Sequence, residues 1–402
     1  MPKYMGRSQA RTSPRYVHIP TEILVQIANL IFDQWTEDLS PDFQSTLHKF
    51  CLVSRQWYSA GIGFLYHRPQ LAKGNSFALF TNTVCPPIRS RGRKVDLGSL
   101  VQVLNLSGLV HHSSNSLTAR LLGRVKKSLR KFAAPRVSFS LTSHTRINSL
   151  APLSKCKEMT HLSLGLVADP ITLYDLKKAV GHLDKLESLD LPPSMLITDD
   201  GSSEDWPPNL KWLKVGGCFD SHTARSFRWP TTLQGLTLID CEYLTTVLDV
   251  ASMNEQLCAT LKELTISPYH RELLVNEPFA GVKRFSSLRR LRIPIDSLFG
   301  VDINPVFDVI DIPRSMRELI LTSPIDETFA VVDIEHLCKA LRGELSQVCG
   351  IGISPDCLGF LPQASRANID GLVWNNIDNC PEDELDAVFD LGLYVLDPEQ
   401  VY

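Results

Sequence analysis

The sequence predicts an α/β protein in which a small N-terminal helical domain precedes a solenoid of short parallel strands. Two observations lead to this prediction. Apolar residues recur at helical spacing between Ile19 and Leu71, and from about Leu100 onward a six-residue apolar pattern returns at regular intervals. The composition agrees with a folded chain, because 44% of the 402 residues are hydrophobic and 21% are charged, close to the globular average.

Composition and charge exclude several classes of function. A net charge of -3 supplies no global field for nucleic acid or for an anionic membrane, so neither is expected as a partner. No apolar run approaches the length of about 18 residues that a membrane span needs, and the first residues lack the apolar centre of a secretory signal. We therefore expect a cytoplasmic or nuclear protein. The ten cysteines form no C-x-x-C pair, which favours buried free thiols and no metal site.

The N-terminal part of the chain changes character after residue 16. Residues 1–16 are basic and rich in Ser and Pro, which predicts a disordered tail. Pro20, followed by Thr21 and Glu22, suits a helix start. Aliphatic residues follow at helical spacing. A second start signal at Ser40 precedes another amphipathic stretch that includes CLVSRQW, Cys51 to Trp57. Two short helices cannot bury so much apolar surface between themselves, so the rest of the chain or a partner must cover it.

The second part of the chain is internally repetitive. The pattern is apolar, two variable residues, apolar, one variable residue, apolar, and between Met159 and Met316 its copies start 23 to 28 residues apart. The strong copies are VQVLNL at Val101, MTHLSL at Met159, LESLDL at Leu186, LKWLKV at Leu210, LQGLTL at Leu233, LKELTI at Leu261, LRRLRI at Leu288 and MRELIL at Met316. Weaker copies are LRKFAA at Leu129, LSQVCG at Leu345 and IDGLVW at Ile369.

This period and pattern are typical of leucine-rich repeats, each a short strand with a helical or irregular return. We expect about 10 to 11 irregular repeats in a horseshoe over residues 100–402, with the C-terminal end capping the array. Cys218 and Cys241 stand at the ninth position of their copies, where this repeat type takes Asn or Cys, so both are interpreted as structural. Residues 72–99 are predicted to be a linker.

Residues 17–71 resemble the F-box in the form common in fungal proteins. The resemblance lies in IPTEIL from Ile19 to Leu24, in CLVSRQW about 30 residues later, and in the following FLYHRPQL from Phe64 to Leu71. It implies docking of a Skp-type adaptor, which joins a cullin and RING ligase. The residues that it places at the adaptor interface, or in support of it, are Pro20, Ile23, Leu24, Ile27, Leu52, Val53 and Trp57.

The same resemblance implies a substrate-recognition subunit of a Skp-cullin-F-box ubiquitin ligase, which directs a target protein to ubiquitination and proteasomal degradation. Such a chain contributes proximity and contains no catalytic residue. No glycine-rich phosphate loop, G-x-S-x-G turn or paired histidine motif appears, and no cofactor is expected. The alternative, which the sequence does not separate, is a scaffold that binds the adaptor without a cullin.

The substrate is expected on the concave face of the repeats, at the variable positions between the buried ones. These positions include His161, Asp190, Trp212, Lys214, Gly235, Thr237, Glu263, Arg290, Arg292, Glu318 and Ile320. Trp212, Lys214, Arg290 and Arg292 are the main candidates, and the arginines suit a phosphorylated or acidic segment. The alternative is that Arg290 and Arg292 pair with Glu263 and Glu318 on neighbouring repeats. The basic run from Arg120 to Lys131 is interpreted as a repeat helix with a solvated outer face.

Overall fold

The computed structural model shows two compact units, Met1–Gln70 and Leu71–Tyr402. It describes residues 19–37, 42–71, 74–86, 96–109, 115–136, 152–168, 170–197, 205–217, 219–241, 243–244, 246–252, 254–267, 281–295, 312–323, 334–385, 388 and 390–396. The predicted basic tail, residues 1–16, lies outside these residues. Each unit is described by itself below.

The first unit consists of three helices, α1 (Thr21–Glu37), α2 (Asp42–Leu52) and α3 (Arg55–His67). Ser54 caps α3, because its hydroxyl accepts the Trp57 backbone N–H at 3.3 Å. The helices pack around one core of small and aromatic side chains. Its buried members are Leu24, Ala28, Phe43, Leu47, Phe50, Cys51 and Ala60.

Within its described residues, the second unit contains a parallel sheet of eleven strands in which sequence order and spatial order are the same. This order defines a solenoid of leucine-rich repeats, since each strand pairs only with its neighbours in sequence. The strands are β1 (Val103–Asn105), β2 (Lys131–Ala133), β3 (His161–Ser163), β4 (Ser188–Asp190), β5 (Trp212–Gly217), β6 (Gly235–Cys241), β7 (Glu263–Ile266), β8 (Arg290–Pro294), β9 (Glu318–Thr322), β10 (Gly350–Ile353) and β11 (Gly392–Val395).

The described α-helices of this unit are one that precedes β1 and eight that return the chain between strands. They are α4 (Gly74–Val84), α5 (Asn115–Val125), α6 (Leu173–Val180), α7 (Ser221–Ser226), α8 (Val247–Ala251), α9 (Glu255–Thr260), α10 (Ile334–Arg342), α11 (Gln363–Asp378) and α12 (Glu382–Leu385). The prediction of a linker over residues 72–99 is wrong for α4. Phe77, Thr81 and Val84 recur at helical spacing there, and all three are buried.

The repeat pattern fills the core as predicted. In the copy at Leu210, the side chains of Leu210, Leu213 and Val215 are buried, and the strand pairing aligns Leu213 with Leu189 and Leu236. Backbone hydrogen bonds at the start of successive strands repeat in the same way. The Gln234 N–H donates to the Lys211 carbonyl at 2.8 Å, and the equivalent bonds continue through the following repeats. Each copy therefore contributes one layer of a continuous core.

Two weak copies of the pattern are placed differently from the prediction. The strand pairing aligns Ile351 with Leu319, so the repeat over β10 starts at Val348 and not at Leu345. IDGLVW does not form a strand, because Ile369 and Val373 lie four residues apart on one buried face of α11. The last strand comes instead from the segment that was expected to cap the array, where β11 pairs with β10.

The basic run and Cys241 are also located. Leu121, Leu122 and Val125 are buried on α5, which ends at Val125, and Lys131 begins β2. The helix interpretation therefore holds for the first half of the run only. Cys241 is a buried free thiol in β6, and burial raises its pKa to about 12, which keeps it protonated. Its structural interpretation agrees with this position.

Candidate interaction surfaces

Helix α1 has two apolar faces. Leu24 and Ala28 point into the core of the first unit and are fully buried. Ile23, Ile27 and Leu30 follow the spacing i, i+4, i+7 and form a second stripe, in which Ile23 is 44% and Leu30 62% exposed. A helix that has filled its core and still carries an apolar stripe has surface left for a partner.

The turn between α2 and α3 continues this apolar surface. Leu52 and Val53 stand at that turn with 70% and 60% of their surfaces exposed. The Gln56 side chain holds the start of α3 against the start of α1, because its amide donates to the Ile19 carbonyl at 2.8 Å and to the Thr21 hydroxyl at 3.2 Å. The turn and the first turn of α1 therefore lie at the same end of the unit. We call Pro20, Ile23, Ile27, Leu30, Leu52 and Val53 the docking surface.

The structure separates the predicted adaptor residues into three groups. Pro20, Ile23, Leu52 and Val53 are exposed, and Ile27 is partly buried against the core. Trp57 is also partly buried, with its ring centroid 4.6 Å from that of Phe50, so it supports the surface from below.

Leu24 is fully enclosed by the core of the first unit, so of the two predicted roles, at the interface or supporting it, its position fits the supporting one. A buried side chain cannot contact a partner unless the unit opens. Leu30 was missing from the predicted set, although its spacing from Ile23 and Ile27 is visible in the sequence. The contiguity of that stripe is the signal that could have found it.

The second candidate surface is the open face of the sheet, defined as the side that carries the strand residues alternating with the buried ones. Strand register aligns these residues in two rows. The first row runs Val103, Lys131, His161, Ser188, Trp212, Gly235, Glu263, Arg290, Glu318, Gly350 and Gly392. The second runs Asn105, Ala133, Ser163, Asp190, Lys214, Thr237, Thr265, Arg292, Ile320, Gly352 and Tyr394.

Trp212 lies near the middle of this face, with the Cε3–Cζ3 edge of its ring against Gly235. A Cβ atom added to Gly235, its neighbour on β6, would come within 1.9 Å of Trp212 Cε3, so the indole ring covers the glycine. The side chain remains 40% exposed. Lys214 follows two residues later on the same face and is half-buried. Among the described residues, no carboxylate oxygen lies within 4 Å of the Lys214 ammonium.

The arginines of β8 are in a different environment. Arg290 Nε donates to Glu318 Oε2 at 2.6 Å, and Arg290 Nη1 lies 3.3 Å from Glu263 Oε2. Burial alone would lower the pKa of Arg290, but the hydrogen bond and charge of Glu318, with Glu263, raise it above its ordinary value. The predicted alternative, in which these charges pair across neighbouring repeats, is confirmed for Arg290. Its place in a phosphate-binding site stays a prediction, and a phosphate would have to compete with the two carboxylates that already contact its guanidinium.

The last strand closes this charged cluster. The Tyr394 hydroxyl donates to Glu318 Oε1, and its ring crosses β10 at Gly352, where an added Cβ would meet the ring carbons at 2.9 Å. Burial, then Glu318, raises the pKa of Tyr394. Arg292 stands beside the cluster, and burial, together with the charge of Arg290, lowers the pKa of its guanidinium. Glu263, Arg290, Glu318 and Tyr394 are called the charged cluster below.

Metal-ligand clusters and membrane-spanning helices can be checked in the described residues. No group of three or more His, Cys, Asp or Glu in this part of the chain is arranged to hold a metal ion. Within the same residues, no helix has the length and apolar character required to cross a membrane. His161 is half-buried on the open face, and burial, with the charge of Lys131, lowers its pKa.

Together the two units define a class of protein, one with a small helical domain that exposes apolar surface and a leucine-rich-repeat solenoid. The sequence is 32% identical over 215 residues to the F-box protein YDR306C of Saccharomyces cerevisiae, which covers 54% of this chain and 42% of that relative. The match thus spans about two fifths of the relative's length. It confirms the resemblance to F-box proteins that IPTEIL and CLVSRQW indicate.

No family model matches the sequence. A chain in the crystal structure of the yeast Rad7 and Elc1 complex superimposes with a TM-score of 0.45 at 14% identity and covers 86% of each chain. An internalin from Listeria monocytogenes superimposes with a TM-score of 0.32 at 13% identity, covering 90% of this chain and 96% of the other. Neither superposition is close enough to add to the argument, so the fold rests on strand order and register.

Proposed function

We propose that this chain is the substrate-recognition subunit of a Skp-cullin-F-box ubiquitin ligase, working in the cytoplasm or nucleus. The docking surface would bind the Skp-type adaptor, and the open face of the sheet would hold the target protein. The observation that carries the proposal is the apolar docking surface on a helical unit whose own core is already filled. The similarity to a yeast F-box protein supports it.

In this proposal the chain supplies position and no chemistry of its own. The adaptor would connect it to a cullin and RING subunit, and a lysine of the bound target would be held near the ubiquitin thioester carried by other subunits. Such tethering raises the effective concentration of the target without any new catalytic group.

The test measures adaptor binding to the intact chain by isothermal titration calorimetry with a purified Skp-type adaptor. Leu52→Glu combined with Val53→Glu places two charges on the docking surface without touching the core. Because central apolar anchors in interfaces often contribute about 2 kcal/mol or more, we expect affinity to fall at least about tenfold. Leu24→Ala is unsuitable for this purpose, since it would open a cavity in the first unit.

The matched control is Leu79→Glu, because Leu79 is an equally exposed leucine on α4, at 69% exposure against 70% for Leu52. This variant should bind the adaptor like the wild type. An intact chain that does not bind the adaptor, or a double variant that binds as tightly as the wild type, would overturn the proposal. Purification of the chain with its adaptor from cells then tests the ligase itself. Recovery of a cullin in that complex supports a ligase subunit, and its consistent absence favours the scaffold alternative.

A further inference from the structure

We propose that the target protein is recognised at Trp212 and Lys214, through an unphosphorylated segment that sets an apolar side chain on the indole ring and a carboxylate against the ammonium group. This inference rests on the proposed function, because it names the substrate class of the same open face. It departs from the sequence-based prediction, which named Arg290 and Arg292 beside these two residues as main candidates and favoured a phosphorylated or acidic segment because of the arginines.

Trp212 has the features of a fixed apolar platform. Its ring lies against the backbone of β6 because position 235 is glycine, and any larger residue there would occupy the ring's place. The indole is thereby held against β6 at its Cε3–Cζ3 edge, while a substantial part of the side chain stays in contact with solvent. Tryptophan in such a position is enriched among the residues that dominate protein interfaces, since it offers a large rigid surface at little entropic cost.

Lys214 provides the charge next to this platform. It extends from the same side of β5 as Trp212, and register places Asp190 beside it on β4. Salt-bridge distances from the Lys214 ammonium reach no carboxylate among the residues that the structure describes. Lys131 adds a second exposed cation on β2, so the open-face rows from β1 to β6 carry two lysines against one aspartate. A peptide segment with one acidic residue would therefore match the charge of this part of the open face.

The surroundings favour a carboxylate over a phosphate. A phosphoryl group carries about -1.5 to -2 charge and is held best by the fork of an arginine, whereas a lysine is a single point of charge. Asp190 beside Lys214 repels a dianion more strongly than a monoanion. Arg290 is on β8, three strands away from Lys214 on the open face. Its guanidinium is already paired with Glu263 and Glu318. A phosphate there would have to displace two carboxylates.

The test selects a displayed library of random dodecapeptides on the intact chain bound to its adaptor, and the strongest peptides are then synthesised. We expect them to share an apolar residue near an Asp or Glu. Affinity, measured by fluorescence anisotropy, should fall at least about tenfold for Trp212→Ala and for Lys214→Glu. Replacing the acidic residue of the peptide by its amide should cause a similar loss, and replacing it by phosphoserine should give no gain.

The matched control is Lys127→Glu, an equal charge reversal at an exposed lysine outside the open face. It should leave peptide affinity unchanged. Selection repeated on Lys214→Glu should shift the preferred residue from acidic to basic, which a merely unfolded variant could not do. The inference is overturned if no peptide is selected, if the peptides bind both open-face variants like the wild type, or if phosphoserine binds more tightly in an Arg290-dependent way.

Adaptor binding, measured on the same samples before selection, separates the two proposals. If the chain binds the adaptor but peptide binding ignores Trp212 and Lys214, only the present inference fails. If the chain shows no affinity for the adaptor, the selection is made on the intact chain alone; peptides that then bind as expected mean that the ligase proposal fails and the recognition surface stands.

Discussion

The two halves of the open face use the same strand positions in opposite ways. Around β4 and β5, Trp212 and Lys214 face solvent, and the described residues place no carboxylate in salt-bridge contact with the lysine. Around β8 and β9, Arg290 is enclosed by two carboxylates, and Glu318 is almost completely buried. A charge on this face is therefore not by itself a sign of binding. What matters is whether the neighbouring strands neutralise it.

The charged cluster stabilises the last repeats, because its members form hydrogen bonds and ion pairs with one another. Glu318 accepts from both Arg290 and Tyr394, which join β8, β9 and β11 through one carboxylate. The free-energy cost of removing such charges from water is offset only when every charged or polar group of the cluster has a hydrogen-bond or ion-pair partner. The cluster therefore couples the last repeats, whereas Trp212 and Lys214 can change without leaving a buried charge alone.

The largest expected difference between the two regions comes from the same charge reversal in each. Arg290→Glu would bring three carboxylates together where Glu263 and Glu318 now share one cation, and breaking a buried pair costs about 3 to 5 kcal/mol. Lys214→Glu should stay within about 0.5 kcal/mol of the wild type. Urea unfolding followed by circular dichroism gives both midpoints. Equal midpoints for the two variants would remove the distinction between the regions.

A smaller effect is expected from the hydroxyl of Tyr394. Tyr394→Phe keeps the ring over Gly352 and removes only the donor to Glu318, so a buried carboxylate loses one of its partners. The expected cost is about 1 to 3 kcal/mol, measured by the same unfolding experiment. Tyr243→Phe is the control, because this tyrosine is mostly exposed and should show no change. If both substitutions are silent, Tyr394 does not contribute to the coupling of the last repeats.

Much of the solenoid could be predicted because its pattern is local and redundant. In each strong copy, such as LKWLKV or LQGLTL, the leucines have to alternate inward, and the strand follows from that alternation. The weak copies show the limit. Ile369, Leu372 and Trp374 fit the strand pattern of IDGLVW, whereas Ile369 and Val373 have the spacing of a helix. Only packing against α10 and β11 decides for the helix.

The interaction surfaces could be predicted in outline only. Ile23 and Leu24 are adjacent aliphatic residues, and the sequence alone gives no reason why one is exposed and the other buried. That choice is made by Phe43, Leu47 and Phe50, which occupy the side of α1 that Leu24 faces. The pairing of Arg290 was foreseen as an alternative because Glu263 and Glu318 stand at equivalent repeat positions. Choosing between pairing and binding required the register and the distances.

The smallest expected effect is a pH dependence that distinguishes a buried carboxylate from an exposed one. Burial raises the pKa of Glu263 above its ordinary value of 4.5. The charges of Arg290 and Arg292 lower this pKa but do not cancel the effect of burial. Arg290 lies closer to Glu318, at 2.6 Å, than to Glu263, at 3.3 Å. A raised folded-state pKa means that the folded chain binds the proton more tightly than the unfolded chain does. The contribution of Glu263 to stability is thus fully present below about pH 4.5 and is lost as the pH rises through its folded pKa.

The matched pair for this effect is Glu263→Gln and Glu158→Gln. The stability of the wild type relative to Glu263→Gln should fall as the pH increases above 4.5, because only the wild type has to ionise a buried acid. Glu158 is exposed and bound by Lys185, which lowers its pKa, so its contribution has the opposite sign and disappears as the pH falls. Thermal melts of the wild type and the two variants, recorded at pH values below and above 4.5, provide the comparison. If the stability difference between wild type and variant changes with pH in the same direction for both variants, the charge of Arg290, and not burial, determines the pKa of Glu263. The charged cluster would then behave like a surface ion pair, in spite of its buried geometry.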